Sequence, residues 1–97
     1  MSVLVLLDIE AAPGKEAELV SAFAEVLPDT RAYDGCESLT AHRNLDRPGQ
    51  LLLVERWGSR NQHETYLQWR GERGDLDRLG ALMAGPPDVR CCEDVDI

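Results

Sequence analysis

Gln50-Leu51-Leu52-Leu53-Val54-Glu55-Arg56-Trp57-Gly58-Ser59-Arg60-Asn61-Gln62-His63-Glu64-Thr65-Tyr66-Leu67-Gln68-Trp69 reads as one strand turning directly into one helix. Leu51 to Val54 is an unbroken apolar run, the pattern of a strand covered on both faces. Glu55-Arg56-Trp57 ends that run with a charge pair and a large aromatic, and Gly58 breaks it. Ser59 stands where a helix N-cap belongs. Gln62, three residues on, completes the Ser-x-x-Gln pattern of a capping box. His63, Tyr66, Leu67 and Arg70 then recur at helical spacing. The stretch holds both tryptophans, one of the two tyrosines and one of the two histidines, so most of the ring chemistry is concentrated here.

Working outward, Val3 to Ala11 reads as a strand with Val3, Val5, Leu7, Ile9 and Ala11 on one face and Leu4, Leu6, Asp8 and Glu10 on the other. Ala12-Pro13-Gly14 is a turn. Lys15 to Leu27 is a helix with Leu19, Val20, Phe23, Val26 and Leu27 along one stripe. Pro28 marks its boundary or a kink, with a last turn restarting over residues 28–31. Cys36 to Asn44 is a more polar strand, expected to place Cys36, Ser38, Thr40, His42 and Asn44 on one face. Asp46-Arg47-Pro48-Gly49 is a hairpin loop. Beyond the central helix, which Gly71 and Gly74 interrupt, a short helix is expected from Asp75 to Met83. Gly85-Pro86-Pro87 stops it, and Val89 to Val95 is a fourth strand. Trp69 is expected to pack against the Leu76 to Met83 part of that short helix.

The order is β-α-β-β-α-β, the ferredoxin-like α+β arrangement: a four-stranded antiparallel sheet with its helices on one face. The chain of 97 residues reads as one domain over 1–97, its core spanning about 3–92. The first and third strands are apolar on both faces, and no further element exists to cover the second face. A second copy packed sheet to sheet is the simplest remedy, so a homodimer is expected.

A net charge of −8 argues against nucleic acid and against an anionic membrane surface, both of which call for a basic face. No segment approaches transmembrane length, and Val3 to Leu7 is too short for a signal-peptide core. Cys36, Cys91 and Cys92 are an odd number with no disulfide framework, read as free thiols of a cytoplasmic protein. Cys91 and Cys92 are strand neighbours and should face opposite ways. No C-x-x-C or paired histidine spacing suggests a metal.

Several motifs now combine: Ala12-Pro13-Gly14-Lys15-Glu16 before the first helix, Asp34-Gly35-Cys36 opening the second strand, and Arg43-Asn44-Leu45-Asp46-Arg47-Pro48 before the third. To these add Val54-Glu55-Arg56-Trp57-Gly58-Ser59, Tyr66-Leu67-Gln68-Trp69-Arg70 and Gly85-Pro86-Pro87. Together they resemble the antibiotic biosynthesis monooxygenase family over roughly Val3 to Cys92. The Glu-x-Trp followed by a helix cap is the most specific part. The resemblance implies a dimeric α/β barrel and an oxygenase that works without metal or flavin on a small aromatic substrate and O₂. The substrate would be a reduced aromatic such as a quinol, an anthrone or a polyketide-like ring. On that reading the protein supplies a dry aromatic-sized pocket, a group to hold the anion, and a base.

By the same resemblance Trp57 would line the pocket and donate its indole N–H to a substrate oxygen, His63 would be a base near neutrality, and Tyr66 would polarise a phenolate. His42 and Asn44, on the polar face of the second strand, are further candidates for substrate binding. Each also has a structural role open to it: Trp57 as the cap of the core, His63 as a helix-edge residue, Tyr66 as a wall, Asn44 as a turn former. Two positions depart from the family pattern. Leu53 stands where some members have Asn, and Tyr66 where many have His. A haem-degrading branch is disfavoured because the first strand has no Asn and no His follows Trp57 by about ten residues. Two other readings remain beside the oxygenase: a non-catalytic dimeric binding module, and an isomerase or dehydratase using His63 or Tyr66 in proton transfer.

Overall fold

The computed structural model describes residues 2–97, so the first residue of the expected domain lies outside it. The chain runs β1 (Val3–Glu10), α1 (Glu16–Ala32), β2 (Cys36–Arg43), β3 (Gln50–Trp57), α2 (Arg60–Glu72), α3 (Asp75–Gly80) and β4 (Asp88–Cys92). The strands form one antiparallel sheet in the order β2-β3-β1-β4, the ferredoxin-like α+β topology.

Burial along β3 alternates without a break: Leu51, Leu53, Glu55 and Trp57 are buried, while Leu52, Val54 and Arg56 are half-buried. The pleat turns successive side chains to opposite faces, so the first set meets the helices and the second faces away from them. Register extends this to β1, where Val5 stands opposite Glu55 and Ile9 opposite Leu51. Ile9, Leu19, Phe23, Leu27, Leu53 and Leu79 make the main core between sheet and helices. Val5, Trp57 and Tyr66 make a second, aromatic one beside it. On the far face Leu4, Leu6, Leu52 and Val54 form a half-buried apolar strip with no helix over it. Cys91 packs into the aromatic core while its neighbour Cys92 is exposed, the opposite facing that adjacent strand residues must adopt.

Several sequence expectations are corrected. The first helix runs past Leu27 to Ala32, so Pro28 is not its boundary, and the further turn expected over residues 28–31 is formed. Thr30 beyond the proline is 1% exposed, and the Val26 carbonyl accepts from Arg70 Nη2 at 2.7 Å. Tertiary contacts thus hold the turn that proline weakens. In β2 the pairing slips between Cys36 and Ser38. Cys36 stands opposite Trp57 and Ser38 opposite Arg56, so Cys36 lies on the helix side and not with Ser38 and Thr40. That strand closes at Arg43, leaving Asn44 in the hairpin. Helix α3 ends at Gly80, short of Met83, because Met83 bridges Ala11 and its neighbour Leu82 gives its carbonyl to the Ala12 N–H at 2.9 Å. Strand β4 ends at Cys92, which pairs with Leu4, and not at Val95; residues 93–97 are exposed.

Candidate functional site

The N-terminal turn of α2 sets the site. The Ser59 hydroxyl accepts from the Gln62 N–H at 3.1 Å, which is half of the expected capping box. The Gln62 side chain instead lies over Gly35 and Gly58. Gly35 has φ +96°, and a Cβ there would stand 2.7 Å from the Gln62 side chain. The Gly58 N–H donates to the Gly35 carbonyl at 2.8 Å. This clamp fixes the start of α2 against the end of β3, and His63 arrives one turn later beside Trp57.

Trp57 is fully buried, His63 2% exposed and Tyr66 7% exposed. Their ring centroids lie close: Trp57 to His63 5.3 Å, Trp57 to Tyr66 5.0 Å, His63 to Tyr66 6.3 Å. Three of the sequence candidates are therefore brought into one cluster. Their polar atoms are engaged differently from the expectation. The Trp57 indole N–H donates to Glu55 Oε1 at 2.8 Å, so it is already occupied. The Tyr66 hydroxyl pairs with Thr30 Oγ1 at 2.6 Å and accepts from Arg70 Nε at 2.9 Å. His63 Nε2 is sealed from solvent and has no hydrogen-bond partner among the described residues.

His42 and Asn44 do not join the cluster. His42 is exposed and its Nε2 pairs with Thr40 Oγ1 at 2.9 Å on the helix-free face. Asn44 is a turn former: its Oδ1 accepts from the Asp46 and Arg47 N–H groups at 2.8 and 3.1 Å. Trp69 packs onto the aromatic core, its ring 5.0 Å from that of Tyr33 and tilted to it, with Arg70 and Arg73 over its face.

Between the sheet and the helices lies a cavity of about 260 Å³, just under the range typical of small-molecule pockets at roughly 300–1,000 Å³. Its walls are apolar, with Leu7, Ile9, Leu53, Leu67, Leu76 and Leu79 prominent; Glu55, His63 and the Tyr66 ring also line it. Trp57 stands behind the wall, holding Glu55 and touching His63. A second hollow of about 280 Å³ lies between α1 and β2, where His42 and Arg43 edge it, but it contains none of the buried ring cluster.

Glu55 is the residue that reading for chemistry passed over. It is 3% exposed, and burial raises its carboxyl pKa above the usual value, partly countered by the Trp57 N–H. Strand alternation was the available signal, because Leu51, Leu53, Glu55 and Trp57 share a face. Burial lowers the His63 pKa, so its imidazole is neutral at pH 7. Burial likewise raises that of Tyr66, against the opposing hydrogen bonds from Thr30 and Arg70. The site thus offers a neutral base and a carboxyl group in an apolar hollow. Among the described residues no three His, Cys, Asp or Glu side chains cluster as a metal ion would require.

A ferredoxin-like α+β domain whose helix-side cavity is lined by an unpaired histidine and a buried glutamate is the class that this geometry defines. The chain belongs to the antibiotic biosynthesis monooxygenase family, whose sequence model matches residues 2–70. It is similar in fold to a candidate antibiotic biosynthesis monooxygenase from Bordetella bronchiseptica, with a TM-score of 0.85 at 24% identity over 97% of each chain. A candidate of the same kind from Deinococcus radiodurans superposes with a TM-score of 0.83 at 23% identity, over 98% of this chain and 94% of that one. The Rv0793 protein of Mycobacterium tuberculosis does so at 0.83 and 26% identity, over 100% and 98%. No curated protein matches the chain. Among the described residues no helix is long and apolar enough to cross a membrane.

Proposed function

We propose that the chain is a cofactor-independent monooxygenase that oxidises a small reduced aromatic, of the quinol or anthrone kind, with O₂. The observation that carries this reading is His63 in the wall of an apolar cavity, its Nε2 without a hydrogen-bond partner among the described residues. His63 takes a hydroxyl or ring-carbon proton from the substrate. The resulting anion passes one electron to O₂, and the two radicals join as a ring peroxide. Loss of water breaks the O–O bond. In sum the substrate loses two hydrogens and gains one oxygen atom, while the other oxygen leaves in water. The substrate supplies all four electrons, so the reaction calls on neither a flavin nor a metal. The apolar walls keep water from the anion and its peroxide.

The test is oxygen uptake with 1,4-dihydroxynaphthalene and anthrone in the presence of a chelator. Uptake is expected to survive the chelator and to fall about a hundredfold or more in His63→Ala. Tight binding without uptake points to the non-catalytic module instead, and proton exchange without uptake to the isomerase or dehydratase.

The reading includes a homodimer working in the cytoplasm. The strip of Leu4, Leu6, Leu52 and Val54 stays half-buried among the described residues, and a second copy packed sheet to sheet would bury it. Sedimentation of Val54→Asp beside the parent chain tests it, with a shift from dimer to monomer expected.

A further inference from the structure

The oxygenase reading gives Glu55 no part, yet no other residue lining the cavity carries an acidic side chain. It sits 3% exposed among leucines, where a carboxyl group without a task is costly. Trp57 holds one of its oxygens at 2.8 Å, and the indole ring behind it lies 5.3 Å from the His63 ring. The other oxygen, Oε2, has no hydrogen-bond partner among the described residues, and neither has His63 Nε2. No lysine or arginine lines the cavity. The hollow therefore presents one fixed carboxyl group, one imidazole and apolar walls, with no cation to neutralise an incoming anion.

We propose that Glu55 determines the specificity of this cavity: its carboxyl group takes the hydrogen bond of an uncharged phenolic hydroxyl and turns away aromatic ligands that carry a carboxylate. Trp57 acts on the ligand only through Glu55 and His63 and is a positioning residue. A phenol gives Glu55 the donor it lacks and places its ring among Leu7, Leu53 and Leu79. An aromatic acid sets its carboxylate against the Glu55 carboxyl group with no cation to offset it, in a medium that screens charge poorly. Burial also raises the Glu55 pKa, the direction expected where a carboxylate loses its water. The volume of about 260 Å³ suits one or two fused rings. This inference rests on the cavity being the ligand site named above, and not on the oxygen chemistry.

Calorimetric titration under nitrogen with 2-naphthol and 2-naphthoate at pH 8 tests it, because the two probes share a ring system and differ in charge. The parent chain is expected to bind 2-naphthol at least about tenfold more tightly than 2-naphthoate. In Glu55→Gln, which keeps the shape and still accepts from Trp57, the preference is expected to narrow to within about threefold. Leu76→Trp, which narrows the cavity, is expected to weaken 2-naphthol binding about tenfold. Equal binding of both probes by the parent chain, or an unchanged preference in Glu55→Gln, overturns the assignment to Glu55 while leaving the cavity as the ligand site. Binding of 2-naphthol that is absent, or indifferent to Leu76→Trp, overturns both. A preference that behaves as expected in a chain that consumes no oxygen upholds the role of Glu55 and removes the oxygenase reading alone.

Discussion

The two ends of α2 each bury polar side chains, and they treat them in opposite ways. At the C-terminal end Arg70 is 1% exposed and fully engaged. Its guanidinium donates to Tyr66 Oη at 2.9 Å, Asp75 Oδ2 at 2.8 Å, the Val26 carbonyl at 2.7 Å and Thr30 Oγ1 at 3.0 Å. The network ties α1, α2 and α3 together. At the N-terminal end His63 is as deeply buried but leaves Nε2 without a partner, beside a glutamate with one engaged oxygen. A buried polar group that is fully paired holds a fold together. One that is left unpaired costs stability and marks where a ligand would complete the bonding.

The sharpest way to break this contrast is Arg70→Ala. Removing the guanidinium takes away four hydrogen bonds at once, leaving Asp75 to Arg73 and the Tyr66 hydroxyl and Val26 carbonyl to Thr30 alone, and a loss of about 3–5 kcal/mol is expected by denaturant titration. Arg70→Lys should recover little of it, because one ammonium cannot satisfy a forked set of acceptors. Next is Trp57→Phe, expected to cost about 1–3 kcal/mol since the buried Glu55 loses the indole N–H that donates to it. The Glu55 pKa should rise further in that variant, as followed by the carboxyl stretch in infrared spectra.

Tyr66→Phe removes a hydroxyl that Thr30 and Arg70 already share, and about 1 kcal/mol is expected. Because that hydroxyl is turned to the network, oxygen uptake should change less than about threefold, against the usual hundredfold or more for a proton-transfer group. A large loss would return Tyr66 to the chemistry.

The smallest stability effect is expected at His63. In His63→Leu no bond to Nε2 is lost, so a change within about 1 kcal/mol is expected, while oxygen uptake disappears. The pH dependence sharpens the point. Burial lowers the His63 pKa from 6.5, so the unfolded chain binds the proton more readily than the folded one. Stability from this group is full above pH 6.5 and falls as the pH drops from there toward the folded value. Glu64 on the same helix opposes the shift and Glu55 lines the same cavity, so both belong in the comparison. His63→Leu should flatten that part of the stability curve.

Element order, the helix-facing alternation of β3 and the cluster of Trp57, His63 and Tyr66 were legible because they follow from periods of 2.0 and 3.6 and from one cap. The same period puts Glu55 with Leu51 and Leu53, though a glutamate beside Arg56 reads as half of a charge pair. The structure separates the two: Arg56 turns to Asp94 at 3.0 Å on the far face. Asn44 and His42 looked like site residues because they lie on a polar strand. Only the hairpin bonds and the face that each occupies remove them from the cavity.

Local pattern alone determined the ferredoxin-like order, the two-sided greasiness of β1 and β3 and the rings gathered behind one N-cap, because these depend on neighbours a few residues apart. Tertiary structure alone decided which polar atoms found partners. Arg70 reaches Val26 across 44 residues, and among the described residues none gives His63 Nε2 a hydrogen bond. Hydrogen bonding between distant segments depends on where whole helices come to rest, and no spacing along the chain encodes that.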